Sequence, residues 1–171
     1  AGYDLTSGAS NVLIGRDAGA NFTDNQANVV IGAYAMDAAN TGEQYNIAIG
    51  ENALGAETSG ADGCIAVGYR ALLNQNRDVS LNTAIGYFAL TNLGSGTYGG
   101  VRNTAVGYIA GGNGVFGGSG STDGDDNTLL GYAAGYAITT GADNNIIGAF
   151  AGNLLTTGVG NTIIGMKAGS N

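Results

Sequence analysis

The segment Asn82-Thr83-Ala84-Ile85-Gly86-Tyr87-Phe88-Ala89 contains the pattern on which the whole chain is built. Asparagine, two residues, an Ile, Val or Leu, glycine, two residues and alanine recur nine times, and Cys64 replaces the asparagine once. The steps between successive glycines are 17, 18, 18, 18, 21, 24, 17 and 17 residues. Such short-period self-similarity is typical of a solenoid. The sequence therefore predicts an all-β fold, a parallel β-solenoid of about nine coils of 17–18 residues. The repeated glycines, called the bend glycines below, are Gly15, Gly32, Gly50, Gly68, Gly86, Gly107, Gly131, Gly148 and Gly165.

The composition argues for a repeat scaffold and against several classes of function. Glycine makes up 33 of the 171 residues, proline is absent, and 11% of residues are charged, against about 25% in ordinary domains. So few charges suggest that part of the surface is buried against other chains. The net charge of −8 argues against nucleic acid, which is recognised by clustered Lys and Arg. We also expect no membrane insertion, because no stretch is as long and apolar as a transmembrane helix.

Residues 1–171 are predicted to form a single solenoid repeat domain. Neither end shows a convincing capping repeat, which solenoids normally carry, so we expect the chain to be a segment of a longer fibre. Two repeats exceed the period, and insertions in a repeat array map to surface loops. The sequence therefore predicts longer loops at 92–102 and 111–126.

Two adjacent apolar residues precede every bend glycine, as Ala84 and Ile85 precede Gly86. Adjacent strand residues point to opposite faces, so a strand with this pattern is buried on both faces. One face can pack inside the coil. A coil of this length, with about two short strands and two turns, has little wall left to cover the other face. The pattern therefore favours an oligomer, with a second subunit covering the outer face.

The asparagine position is the strongest candidate for a repeated side-chain role. In stacked parallel coils, identical amides hydrogen-bond to the copies above and below and form a ladder. A row of ligand-binding amides is the less favoured alternative. The predicted structural ladder, called the asparagine column below, consists of Asn11, Asn28, Asn46, Asn82, Asn103, Asn127, Asn144 and Asn161.

Tyrosine follows the bend glycine in four of five successive repeats. These residues, the tyrosine column, are Tyr69, Tyr87, Tyr108 and Tyr132. Exposed aromatic faces could stack on sugar rings. The rings could equally pack on one another or on a neighbouring subunit while their hydroxyls reach water, and packing is the favoured interpretation.

The longer loops are the favoured positions for a receptor contact, because binding usually resides on loops carried by a rigid scaffold. The candidate contact residues are Tyr98, Phe116, Asp123, Asp125 and Asp126. The three aspartates are also a weak candidate for Ca²⁺, which prefers oxygen ligands. A solvated acidic loop is the favoured alternative, so we predict neither a metal nor another cofactor.

Catalysis has little support in the sequence. The chain contains no histidine, which excludes histidine-based triads and histidine metal ligands. Cys64 has no evident base partner and occupies a strand position, and no pair of carboxylates has a context that singles it out for glycoside cleavage. We expect that the protein is not an enzyme.

The repeats Asn82-Thr83-Ala84-Ile85-Gly86-Tyr87-Phe88-Ala89-Leu90 and Asn103-Thr104-Ala105-Val106-Gly107-Tyr108 resemble a known family. They are similar to the head repeats of trimeric autotransporter adhesins, and more closely to the related repeats of phage tail fibres. The resemblance extends from Asn11 to Gly169 and implies a left-handed β-roll, a side-by-side homotrimer, and attachment to a host cell-surface glycan or protein. It implies an extracellular location on the tail fibre of a virion. No binding residue can be transferred, because the shared motif is the scaffold.

Three alternatives remain open. The first is the head of a bacterial trimeric surface adhesin, located on the bacterial cell surface. The second is an ice-binding solenoid that uses Thr83, Thr104, Thr128 and Thr162 as an array, although Val and Ile take that position in the first four repeats. The third and least favoured is a polysaccharide-degrading spike.

Overall fold

The computed structural model describes residues 1–56, 60–75, 80–93, 100–112 and 124–170. Every repeat contributes one three-residue strand, which lies directly before its bend glycine. The strands are rich in Val, Ile and Thr, whose branched side chains pack well on a pleated surface. They are β1 (Val12–Ile14), β2 (Val29–Ile31), β3 (Ile47–Ile49), β4 (Ile65–Val67), β5 (Thr83–Ile85), β6 (Thr104–Val106), β7 (Thr128–Leu130), β8 (Asn145–Ile147) and β9 (Thr162–Ile164).

The nine strands form one parallel sheet in the order β1 to β9. The register pairs equivalent positions of successive repeats, so that Thr83 lies opposite Thr104 and Ile85 lies opposite Val106. Each strand is therefore stacked on the copy of itself one repeat earlier. The predicted all-β parallel solenoid is confirmed, and the described segments contain no helix that could span a bilayer.

The expected second strand of each coil is wrong for the described residues. Apart from the nine strands, they contain one isolated bridge, between Gln26 and Gln44. The physical reason is the backbone after the bend, where Phe88 has a φ of 57° and Leu90 a φ of 46°. These left-handed dihedrals interrupt an extended chain. Hydrogen bonds between coils nevertheless continue, because Phe88 N–H donates to Tyr69 O at 3.0 Å and Leu90 N–H donates to Ala110 O at 3.0 Å.

The bend glycines are required by both conformation and space. Gly68 has a φ of 133°, and a Cβ at this position would lie 2.5 Å from the carbonyl oxygen of Gly86. The same geometry recurs down the stack, so any side chain here would collide with the backbone of the next coil.

The core is a narrow strip along the solenoid. Its largest buried side chains follow the bends and include Phe22, Met36, Leu54, Leu72 and Leu90. They pack with the alanines three residues after the bend glycines and with the strand residues two before them. The latter set, the inner column, is buried from Val30 to Ile146 and consists of Leu13, Val30, Ala48, Ala66, Ala84, Ala105, Leu129, Ile146 and Ile163. The prediction that one face of each strand packs inside the coil is confirmed.

Candidate functional site

The outward face of the sheet carries aliphatic side chains that the chain leaves open to solvent. Ile85 is 40% exposed and Val106 is 37% exposed, although both lie in the middle of the stack. Large contiguous apolar surface is uncommon on monomeric proteins and marks interaction sites. These residues directly precede the bend glycines and form the outer column: Ile14, Ile31, Ile49, Val67, Ile85, Val106, Leu130, Ile147 and Ile164.

The first residue of each strand lies on the same face, because it is two positions from the outer column. From β2 to β4 these residues are aliphatic, and from β5 to β7 they are threonines, with a half-buried side chain in every case. The outer face is therefore two columns wide. It is uniformly apolar in its first half and mixed in its second half.

The asparagine column fixes each coil to the next through buried amides. Asn103 Oδ1 accepts hydrogen bonds from the backbone N–H of Asn127 at 2.9 Å and from its Nδ2 at 3.0 Å. Asn103 Nδ2 donates to Gly124 O at 2.7 Å. Each asparagine thus satisfies the backbone of the coil above, and most of the column is fully buried. A buried and internally satisfied amide row has little capacity left for an external ligand.

The backbone of Cys64 makes the same hydrogen bond as the backbone of the asparagines in the column. The Cys64 N–H donates to Asn46 Oδ1 at 2.8 Å, as the asparagine of any other coil would do. The side chain is fully buried. The step from the third to the fourth repeat therefore depends on the Asn46 side chain and the Cys64 backbone, and this bond does not require an asparagine at position 64.

The tyrosine column is a continuous stack of rings. The centroids of Tyr87 and Tyr108 are 5.4 Å apart with planes 8° from parallel, and those of Tyr108 and Tyr132 are 5.3 Å apart at 5°. Tyr69 and Tyr87 are stacked at 4.9 Å. Since the faces cover one another, the exposed part of each ring is its edge. This geometry does not favour sugar stacking, which needs a free face.

Both ends of the stack are also occupied. The guanidinium of Arg70 lies 5.2 Å from the Tyr69 centroid, a cation–π distance. At the other end, Phe150 meets Tyr132 edge to face at 4.8 Å. The column therefore ends in a non-parallel aromatic contact, and Phe150 presents its ring differently from the four tyrosines.

Arg102 organises the acidic part of the second long loop. It makes a two-pronged contact with Asp126, with Nε and Nη2 each 2.7 Å from a carboxylate oxygen. Its Nη2 also lies 3.5 Å from Asp125, whose other oxygen accepts the backbone N–H of Val101 at 2.9 Å. The hydrogen bond from Arg102 holds the pKa of Asp126 below its usual value, and the same bond raises the pKa of Arg102.

These ion pairs involve Asp125 and Asp126, two of the residues predicted for the receptor contact and the calcium site. Arg102 pairs with both Asp125 and Asp126 and offsets one of their two charges, beside a cavity of about 330 Å³. The described segments hold no group of three metal-ligating side chains. Tyr98, Phe116 and Asp123 lie outside the described residues, so the structure neither brings them to this cavity nor separates them from it. The loop contact and the weak calcium site therefore stay predictions.

A groove on the side of the later coils was missed by the sequence reasoning. It consists of two cavities, of about 170 and 380 Å³, which share Phe150 and Asn153 in their walls. The signal was available: two residues after the bend glycine, Ile109 and Phe150 are large, whereas Ala133 between them is small. A gap in that column leaves room for the first cavity.

Comparisons of the chain with protein-family models, with curated proteins and with solved structures give no match.

Proposed function

We propose that this chain is a structural and adhesive segment of a phage tail fibre that attaches the particle to the surface of its host cell. In this proposal about nine left-handed coils form each chain, and three chains pack side by side through their outer faces. The role is mechanical rather than enzymatic. The observation that supports it is the outer column, an unbroken row of aliphatic side chains on a solvent-facing parallel sheet.

The energetics of covering this face favour assembly. Full burial of one Val, Leu or Ile contributes about 1.5–3 kcal/mol relative to exposure, and each chain offers nine such residues in a half-exposed state. Association costs on the order of 4–15 kcal/mol. With about 40% of each side chain left to bury, the column contributes about 5–11 kcal/mol per chain. Three chains then contribute about 15–30 kcal/mol, against about 8–30 kcal/mol for two association steps. Parallel sheets are normally covered on both faces, and a second copy supplies a cover of matching length.

A trimeric rod also suits adhesion. Three chains present each surface feature three times, so weak individual contacts add up through effective concentration. The stacked backbone bonds and the asparagine column keep the rod stiff, and the longer loops at 92–102 and 111–126 are predicted to project from it. The partner in this proposal is a glycan or protein of the host cell surface.

The solution mass of the purified chain tests the assembly. Light scattering on a sizing column should give about three chain masses. Replacing Ile85 and Val106 together by Asp should give monomers, because two charges per chain would then lie within the interface. The matched control replaces Leu154 and Val159 together by Asp, which places the same two charges on exposed residues outside the strands and should leave the trimer intact. A monomeric parent chain would overturn the proposal.

Attachment itself needs a separate measurement. Fluorescently labelled chain should bind to intact bacteria from at least some strains of a panel, and the monomeric double variant should bind more weakly through lost avidity. Binding to no strain, with the trimer intact, would remove the adhesive half of the proposal. Flanking sequence distinguishes the bacterial adhesin alternative, which requires a coiled-coil stalk and a membrane anchor.

The row of Thr83, Thr104 and Thr128 on consecutive strands favours ice binding as a second candidate. The outward position beside this row is Ile, Val or Leu, and Asn145 interrupts the row at β8. Thermal hysteresis measured on the chain decides the matter, and its absence removes this candidate.

A further inference from the structure

The side groove has an apolar floor formed by a gap. Ile109, Ala133 and Phe150 occupy equivalent positions in three successive coils, and the small Ala133 leaves a hollow between its two large neighbours. Tyr136 and Asn153 border the hollow. Phe150 forms part of the wall and remains 37% exposed, so part of its ring is open to solvent. A concave apolar surface flanked by a few polar side chains is typical of small-molecule sites.

Asn153 supplies an unused hydrogen-bond acceptor. Its Oδ1 is buried and has no hydrogen-bond partner within the described part of the chain. A buried polar atom without a partner destabilises the free protein. The side chain borders both cavities, so rotation of its amide would turn this oxygen toward the groove, where a hydroxyl or N–H group would satisfy it. The groove therefore favours a ligand that carries donors.

The charge at the far end of the groove is positive. Lys167, the only lysine of the chain, lies in the wall of the larger cavity. Residues 144–171 contain no Asp or Glu, so the acidic groups behind the net charge of −8 lie in earlier coils. Exposed charges further apart than about 8–10 Å are largely screened at physiological salt. An anionic group near Lys167 is therefore attracted locally, despite the acidic chain.

We propose that this groove binds a carboxylate-bearing sugar of a host glycan. The apolar face of the sugar packs on Phe150 and Ala133, a ring hydroxyl donates to Asn153 Oδ1, and the carboxylate pairs with Lys167. The inference rests on the proposed attachment function and specifies its ligand. The groove follows the bend glycines and lies off the outer column, so a trimer formed through the sheet leaves the groove open.

The first test compares an acidic sugar with its neutral parent. Ligand-observed NMR of the 171-residue protein should show binding of 3′-sialyllactose, or of a glucuronic-acid disaccharide, at least about tenfold more tightly than lactose, a difference of about 1.4 kcal/mol. Lys167→Ala should abolish that preference. The charge-matched control is Arg16→Ala, which removes a cation from the first repeat and should change nothing. Equal binding of acidic and neutral sugars, or binding of neither acidic sugar, overturns the proposal.

The second test fills the groove without disturbing the fold. Ala133 has a φ of 52°, and phenylalanine is already accommodated at the equivalent positions, Phe88 with a φ of 57° and Phe150 with a φ of 58°. Ala133→Phe should therefore fold normally and lose sugar binding. Asn52→Phe adds the same side chain at the equivalent position of the third repeat and should bind like the parent. Undiminished binding by Ala133→Phe places the ligand elsewhere.

Sugar binding and trimer formation are measured separately, so failure of the groove proposal differs from failure of the proposed attachment function. A trimer that adheres to cells but ignores both acidic sugars retains the attachment function and loses this site. A monomer that binds 3′-sialyllactose retains the site and loses the fibre assembly.

Discussion

A Cβ on Gly135 would lie 2.6 Å from the Cδ2 atom of Leu129, six residues earlier in the same coil. The same exclusion operates at Gly152, where a Cβ would lie 3.1 Å from Ile146 Cδ1. The four coils with Leu or Ile in the inner column thus have glycine four residues after the bend, whereas the coil of Val30 has Met36 there. In the coil of Ala84, by contrast, that later position is filled by the fully buried Leu90. Core volume is exchanged between two positions of one coil.

This exchange predicts compensation between Ala84 and Leu90. Leu90→Gly alone should destabilise by at least about 2–5 kcal/mol, since it leaves a cavity. Ala84→Leu alone should destabilise by about 1–3 kcal/mol through overpacking. Together they convert this coil into the arrangement of Leu129 and Gly135, so the double variant should be more stable than the sum of the single effects by more than about 1 kcal/mol. Urea unfolding of the four proteins measures the coupling.

The control pairs Leu90→Gly with a distant change, Ala18→Gly, in the first repeat. Those two effects should add, because sites without shared partners are independent. Additivity between Ala84 and Leu90 as well would mean that the two positions do not fill one space.

The bend glycines should resist even the smallest side chain. Gly68→Ala adds a Cβ 2.5 Å from the Gly86 carbonyl oxygen at a φ of 133°. The neighbouring backbone cannot give way without breaking the stack, so we expect a loss of more than about 3 kcal/mol in the free energy of unfolding. Gly42→Ala is the matched control, because its φ is also positive but no atom lies within 4 Å. Its cost should stay near about 1 kcal/mol, and equal losses would refute the steric argument.

Truncating the asparagine column should cost more than one ordinary hydrogen bond. Asn103→Ala leaves the backbone N–H of Asn127 without its acceptor and the carbonyl oxygen of Gly124 without its donor. Both groups are in buried surroundings. Each buried unsatisfied group costs about 1–3 kcal/mol, so the loss should be about 2–5 kcal/mol. Thermal unfolding measures it. Asn74→Ala, which removes one partly buried bond to Asn92, should cost under about 1.5 kcal/mol. Comparable losses in the two variants would contradict a special role for the column.

The strands and the bends were predictable because each is specified by residues that recur in every copy. Ile85 before Gly86 predicts both the end of β5 and an outward aliphatic side chain, and the structure places them so. The burial of the alanine at Ala89 follows from the same repetition. Periodicity therefore determined the fold, the register and the inner face.

The side groove and the left-handed turn residues were not predictable in this way. Leu90 and Ile109 adopt positive φ, although leucine and isoleucine avoid that region in isolation. Packing inside the stack imposes the conformation, and no local preference reveals it. The groove depends on a departure from the repeat, Ala133 between Ile109 and Phe150, and a consensus pattern suppresses such departures. The repeat pattern therefore predicts the scaffold but not the cavity.

Acidification should change the contributions of Asp126 and Asp37 to the free energy of unfolding in opposite directions. Asp126 has a pKa lowered by the hydrogen bond from Arg102. A carboxyl whose folded pKa lies below its unfolded value stabilises the fold above the unfolded value, 3.8, and loses that contribution as the pH falls through the folded pKa. Asp37 has a pKa raised by burial and further by the charge of Asp17. Its protonation on acidification therefore favours the folded state.

Two substitutions separate these contributions. Arg102→Gln should lower stability at pH 7 by at most about 1 kcal/mol, because the pair is largely exposed, and should reduce the loss of stability between pH 4 and about pH 2. Asp37→Asn should raise stability at pH 7 and remove the opposing gain on acidification. Denaturant unfolding between pH 2 and 7 records both, and carboxyl NMR of Asp126 in the Arg102→Gln variant should show its pKa rising toward 3.8. An unchanged pKa of Asp126 in that variant would show that Arg102 is not its cause.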